Sequence, residues 1–142
     1  LASEWPTLPA STPASVFALF LLGVGGDDHR MRAGLEFTID RKPSQYRKAD
    51  SEDFVRHAQS HVYFWYYGSL SCFLAGGTLW ADWNEALKRI LLPAQSKDGS
   101  FAPVDIYAEY AGDTNKDRAY TTAMCVLCLE VYYRYFTPLL RR

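Results

Sequence analysis

One long stretch of this chain has no charge. Between Val62 and Ala81 there is no Asp, Glu, Lys or Arg. A run of that kind is either buried on every side or lies in lipid. Its length is close to the ~20 residues that a bilayer requires. Its grammar is that of a buried helix followed by a turn: Gly76-Gly77 and then Thr78 read as a helix stop and a fresh N-cap, and the aromatics crowd one end. The second apolar run, Val16–Val24, has no basic residue ahead of it, so no secretory signal is expected there. Cysteine is scarce and odd in number, three in all, which excludes a disulfide-stapled fold. Cys125 and Cys128 form a Cys-x-x-Cys pair without two further ligands near them, and read as buried thiols. His57 and His61 stand four apart but belong to no HExxH pattern, so no metal site is expected, and no cofactor. The net charge of −1 offers nucleic acid no electrostatic footprint, and no such partner is expected.

The 142 residues suffice for one domain with a real core. Aromatics make up 15% of them, so large flat side chains must fill that core or line a cavity. Residues 1–11 carry two prolines, Pro6 and Pro9, with Ser and Thr, and read as an extended lead-in. Thr12-Pro13 starts a helix over Pro13–Leu22, apolar on nearly every face and closed by Gly23, Gly25 and Gly26. A second helix follows at about Asp28–Ile39, with Met31, Leu35 and Ile39 as its stripe and Asp27 and Asp28 at its positive end. The basic segment Asp40–Ala49 reads as a solvated loop, and the polar stretch Asp50–Ser60 opens the next helix early. The third helix, Ser60–Ala75, contains five consecutive aromatics, Tyr63 to Tyr67. The fourth, Leu79–Leu92, puts Leu79, Trp83, Leu87, Ile90 and Leu91 opposite Asp82, Glu85, Lys88 and Arg89, and Pro93 ends or kinks it. Residues 95–101, QSKDGSF, form a turn, Val104–Asp117 has no period and reads as a loop, and a last helix runs over about Arg118–Phe136.

A repeat emerges from this order. Helices apolar all round begin near Thr12, Ser60 and Arg118, and the first two are each followed, after a glycine turn, by a helix with one wet face. Gly25-Gly26 corresponds to Gly76-Gly77. Such a two-helix unit is the mark of a solenoid or toroid, with one inner and one outer helix per repeat.

Ile90-Leu91-Leu92, then Gln95, then Asp98-Gly99-Ser100-Phe101 resembles the QW repeat of squalene and terpenoid cyclases, with Phe101 where that motif usually carries Trp. AYTTAMCVLCLEVYYRYF and YFWYYGSLSCFLAGG, with the WNEALKRILLPAQ that follows, resemble the helices of the prenyltransferase/squalene-cyclase-like repeat family. The resemblance covers most of Asp28–Thr137. It implies an all-α fold of about five main helices whose hairpins form a partial α/α toroid. It also implies a structural role for Gln95, Gly99 and Phe101: Gln95 would bind free backbone groups at a helix end, and Phe101 would stack near it. The DxDD acid motif of the cyclases and the zinc motifs of the protein prenyltransferases are not found in this chain. Its roughly two and a half hairpins cannot enclose a cavity alone, so an apolar inner helix at the C-terminal end wants a partner.

Two groups remain as candidate ligand contacts. Asp113-Thr114-Asn115-Lys116-Asp117 opens like a calcium loop but fails where Gly and Glu are required, at Arg118 and Met124. Asp117 is better read as the N-cap of the last helix, and Asp113 and Asp117 together as a conceivable magnesium-pyrophosphate pair. Tyr63, Trp65, Tyr66, Tyr67 and Tyr120 either line an apolar groove able to stabilise a cation or simply pack. The expectation is a non-catalytic binding or assembly module, a subunit that docks on a protein partner or on itself through its apolar inner helices. The alternatives are an isoprenoid enzyme or fragment, with an isoprenoid or lipid ligand, and a membrane-associated subunit.

Overall fold

The computed structural model describes residues 8–135, with the side chain of Tyr135 left out. Most of the expected lead-in 1–11, and Phe136 through Arg142, lie outside the described residues. The fold is all-α. Its helices are α1 Ser11–Leu21, α2 His29–Asp40, α3 Ser51–His57, α4 Val62–Ala75, α5 Gly77–Ala94 and α6 Ala119–Tyr135. The β pairing among the described residues is one isolated bridge, Gln95 to Phe101.

The helices make two layers. α4 lies between α1 and α6, α2 packs against α1, and α5 packs against α4, with a smaller contact onto α6. Hydropathy explains this placement. α4 buries residues all round its axis, among them Val62, Phe64, Trp65, Leu70, Cys72 and Phe73. α5 buries one side, Trp83, Ala86, Leu87, Ile90 and Leu91, and leaves Asp82, Glu85, Lys88 and Arg89 in water. Each fully buried large side chain contributes about 1.5–3 kcal/mol relative to exposure, so burial on several faces commits α4 to the middle. On α2 the buried set is Met31, Gly34, Leu35 and Thr38, and Ile39 is only half-buried.

Close approach within each hairpin depends on a glycine. A Cβ built on Gly68 of α4 would stand 2.3 Å from two ring atoms of Trp83 on α5. The Trp83 Nε1–H donates to Ser69 Oγ at 2.9 Å, and the Ser69 hydroxyl donates to the Trp65 carbonyl at 2.7 Å. In the first hairpin, a Cβ on Gly34 would stand 2.3 Å from Val16 Cγ2. The Ser71 hydroxyl donates to the Pro13 carbonyl at 2.8 Å, tying α4 to α1.

Several helix ends differ from the expectations. Thr12 and Pro13 lie inside the first turn of α1, whose N-cap is Ala10. α5 begins at Gly77 with Gly76 as N-cap, not at Thr78, and runs through Pro93 in its last turn. Asp50–Ser60 does not extend the third helix. It forms the separate α3, capped by Asp50 and broken by Ala58 and Ser60, both left-handed at φ 52° and 55°. The Ser60 hydroxyl holds this bend by donating to the Arg47 carbonyl. The break parts the two histidines expected on one face: His57 ends α3 in solvent, and His61 is buried at the start of α4.

Gly68→Ala is expected to cost about 1–3 kcal/mol, because the Trp83 ring must leave its rotamer or the helices must part. A urea titration measures this as a lower midpoint at unchanged slope.

Candidate functional site: the capped ends of the inner helices

α4 and α6 both start beside the irregular segment 102–118, and two carboxylates from that segment close them. A helix leaves its first four amides without intrahelical partners. At α4 the Asp105 Oδ2 accepts from the Val62 amide at 3.0 Å, and His61 Nδ1 accepts from the Phe64 amide at 3.5 Å. Asp105 Oδ1 accepts from the Tyr107 amide at 2.8 Å, which bends its own loop into shape. The His61 ring stacks on Phe54 of α3 at 4.2 Å, and its Nδ1 lies 3.6 Å from Asp105 Oδ2. At α6 the two oxygens of Asp113 accept from the Tyr120 and Thr121 amides at 2.9 and 2.8 Å. Both carboxylates are buried, Asp105 at 4% exposure and Asp113 at 3%.

Asp113, not Asp117, is therefore the carboxylate that closes the last helix. Asp117 is exposed, and its backbone pairs with Thr114: its carbonyl accepts from the Thr114 amide, and its amide donates to Thr114 Oγ1. Asp113 and Asp117 differ in burial and in task, and Asp113 has both oxygens engaged.

A hollow of about 760 Å³ opens beside this loop, lined by Lys48, Asp105, Glu109, Asp113 and Thr114 among others. The Tyr120 hydroxyl feels the same charges. Burial, then the fields of Asp105 and Asp113, push it up to about 12. Among the described residues no group of three or more His, Cys, Asp or Glu side chains could hold a metal ion.

The aromatic candidates do not form one lining. Trp65 is fully buried in the core, its ring 6.1 Å from that of Tyr46. Tyr63 is 41% exposed, and its ring lies 4.7 Å from that of Tyr67. The Tyr67 ring in turn lies 5.3 Å from Tyr66 and 6.1 Å from Phe17. Hydrogen bonding to Tyr67, then burial, raises the Tyr63 hydroxyl. Tyr63, Tyr66 and Tyr67 thus make a patch on α4, and the field of Tyr63 reaches Tyr120 across the layer.

The Gln95–Phe101 turn is a built element. Gln95 Nε2 donates to the Gly99 carbonyl at 3.0 Å, the Ser96 amide donates to the Ser100 carbonyl at 2.8 Å, and Gly99 takes φ +86°, a region open to glycine. The Ser100 amide and hydroxyl hold the Asp98 carboxyl below its usual range, with help from Arg118. Gln95 bonds within its own turn, not to a helix end. Phe101 is fully buried in the core, its ring 6.1 Å from Tyr46, and its amide donates to Thr122 Oγ1 at 3.1 Å. The turn staples the end of α5 to the first turn of α6.

Tyr46 and Asp105 went unnoticed in the sequence. The Tyr46 hydroxyl donates to the Ala102 carbonyl at 2.6 Å, and burial, followed by Cys125, raises it well above the ordinary phenol range. All three thiols are free and buried. Burial pushes Cys72 and Cys125 up to about 12 and Cys128 well above its usual value, which makes the Cys-x-x-Cys pair inert. In comparisons with family models, curated proteins and solved structures, nothing matched this chain.

Two outcomes follow. Asp113→Ala leaves one buried and one half-buried helix amide unpaired and is expected to cost about 2–4 kcal/mol in chemical denaturation, whereas Asp117→Ala stays within about 0.5 kcal/mol. Iodoacetamide at pH 8 is expected to leave all three cysteines unmodified in the folded chain and to alkylate all three in denaturant, read by mass spectrometry.

Proposed function

We propose that the chain is a non-catalytic assembly module, part of an α/α-toroid-like array, that docks on further helices of a larger complex through its apolar inner layer. The observation that carries this reading is α6. It has the all-round apolar pattern of an inner helix, yet among the described residues the helices it packs on are chiefly α4 and, more lightly, α5. Thr121, Cys125, Cys128 and Val131 are covered, while Ala119, Ala123 and Tyr133 on the other side are exposed, Tyr133 at 79%. α1 and α4 each have an outer companion, α2 and α5, and α6 has none among the described residues. A repeat unit cannot bury its apolar face by itself. The likeness of the Gln95–Phe101 turn to the QW repeat supports the same reading.

A second reading, an isoprenoid-handling enzyme or fragment, draws on one observation, the hollow beside Asp105 and Asp113 with Lys48 at its wall. Against it, both oxygens of Asp113 already bond helix amides. As for the membrane reading, no helix among the described residues is long and apolar enough to cross a bilayer, and the uncharged run Val62–Ala81 is split between α4 and α5.

A photo-crosslinking residue at Ala123, expressed in the source cell, is expected to join the chain to a different polypeptide, and one at Glu85 on the wet side of α5 is expected not to. A particle of 16.2 kDa with no link at position 123 defeats the module. Calorimetric binding of farnesyl diphosphate with magnesium, weakened by Lys48→Ala, would establish the second reading instead.

A further inference from the structure

We infer that a basic groove at the start of α6 seats an acidic segment of the polypeptide that docks along that helix. The inference rests on the assembly reading above and gives the partner its chemistry. A groove of about 870 Å³ runs between the 95–101 turn, residues 115–118 and the start of α6. Three cations line it, Lys97, Lys116 and Arg118, against one carboxylate, Asp98. The chain as a whole carries −1, so this excess of two positive charges is local and opposite in sign to the molecule. Asp117, beside Arg118 in sequence, does not line the groove.

These cations are not neutralised within the fold. Lys97 and Lys116 are exposed, and their side chains make no ion pair or hydrogen bond among the described residues. Arg118 is held by neutral oxygens. Its Nε donates to the Asn115 carbonyl at 3.0 Å, and its Nη1 to Ser96 Oγ at 3.3 Å and Ser100 Oγ at 3.4 Å. Those bonds fix the guanidinium without cancelling its charge, and Nη2 has no acceptor among the described residues. Asp98 is already engaged, its Oδ1 accepting from the Ser100 amide at 3.0 Å and the Ser100 hydroxyl at 2.8 Å. Two features choose a polypeptide as the occupant. The groove continues onto Thr122 and Ala123, and Ala123 stands on the open side of α6, so a chain laid along that side meets the three cations. Among the described residues no aromatic side chain lines the groove, so single-stranded nucleic acid finds no stacking platform there. Carboxylates of the partner complement the cations and meet the positive end of the α6 dipole, which fixes the partner's register along the helix.

Fluorescence anisotropy of a fluorescein-labelled oligoglutamate peptide, titrated with the 142-residue chain at low ionic strength, tests this. The peptide is expected to bind and to be released as salt rises. Lys97→Glu and Lys116→Glu together are expected to weaken it about tenfold or more. Arg32→Glu with Lys42→Glu makes the same change of charge at exposed positions on and just after α2, and is expected to stay within about twofold. A labelled oligothymidylate of equal charge is expected to bind more weakly than the peptide. A thermal melt of each variant confirms that it is folded. The inference is overturned by a peptide that does not bind, by one that both double reversals weaken alike, or by tighter binding of the oligothymidylate. The Ala123 crosslink reads the assembly module separately. A crosslink undiminished in the Lys97→Glu/Lys116→Glu chain keeps the module and overturns the acidic seat, whereas one lost in that chain supports both. Groove-dependent peptide binding without any crosslink defeats the module and leaves the groove's choice of acid standing.

Discussion

The arrangement depends on how two inner helices are terminated. α4 begins inside the protein and α6 half inside it, with Thr121 covered and Ala119 in water, and unpaired buried amides are costly. Asp105 and Asp113 supply the missing acceptors, and each is itself shielded from solvent. Negative charge at a helix start also meets the positive end of the helix dipole. Segment 102–118 therefore has no regular structure of its own and yet sets the alignment of the inner layer. It is anchored at its start by the bond between Phe101 and Thr122 and by the Tyr46 hydroxyl on Ala102. Between its two carboxylates lies the hollow that the candidate site occupies, so that hollow is shaped by the same groups that close the helices.

The outer layer obeys a different rule. α2 and α5 are held by contact distance, and glycine sets that distance: Gly34 receives Val16, and Gly68 receives the Trp83 ring. In the first hairpin the socket is on the outer helix, and in the second it is on the inner one. The expected match of Gly25-Gly26 with Gly76-Gly77 does not extend to the turns themselves: seven residues, 22–28, join α1 to α2, and Gly76 alone joins α4 to α5. What the two hairpins share is a first helix that packs on more than one neighbouring helix.

Much of the architecture was legible before any coordinates. The one-sided pattern of α5, the double glycine that ends α4 and the turn at 95–101 each rest on local chemistry, and each reads correctly at short range. The site was less legible because its bonds are not local. Asp105 meets Val62 across 43 positions, and no spacing rule reports such a pair. Asp113 reaches Tyr120 and Thr121 from seven and eight residues upstream through a turn, so the adjacent Asp117 looked like the cap. The break before α4 needed two left-handed residues, Ala58 and Ser60, neither of them the glycine that usually marks such a place. The aromatic run hid its own sides. Five consecutive rings point around the whole helix, so no period separates exposed Tyr63 from Phe64 and Trp65 in the core.

The long reach of Asp105 also has a meaning in time. A chain made from its N-terminus forms α1 and α2 first, and the residues of α4 leave the ribosome well before the carboxylate that completes their helix. Until position 105 has emerged, the Val62 amide lacks its acceptor and α4 can be helical but not finished. The start of α4 is thus completed only by a residue made 43 positions after it.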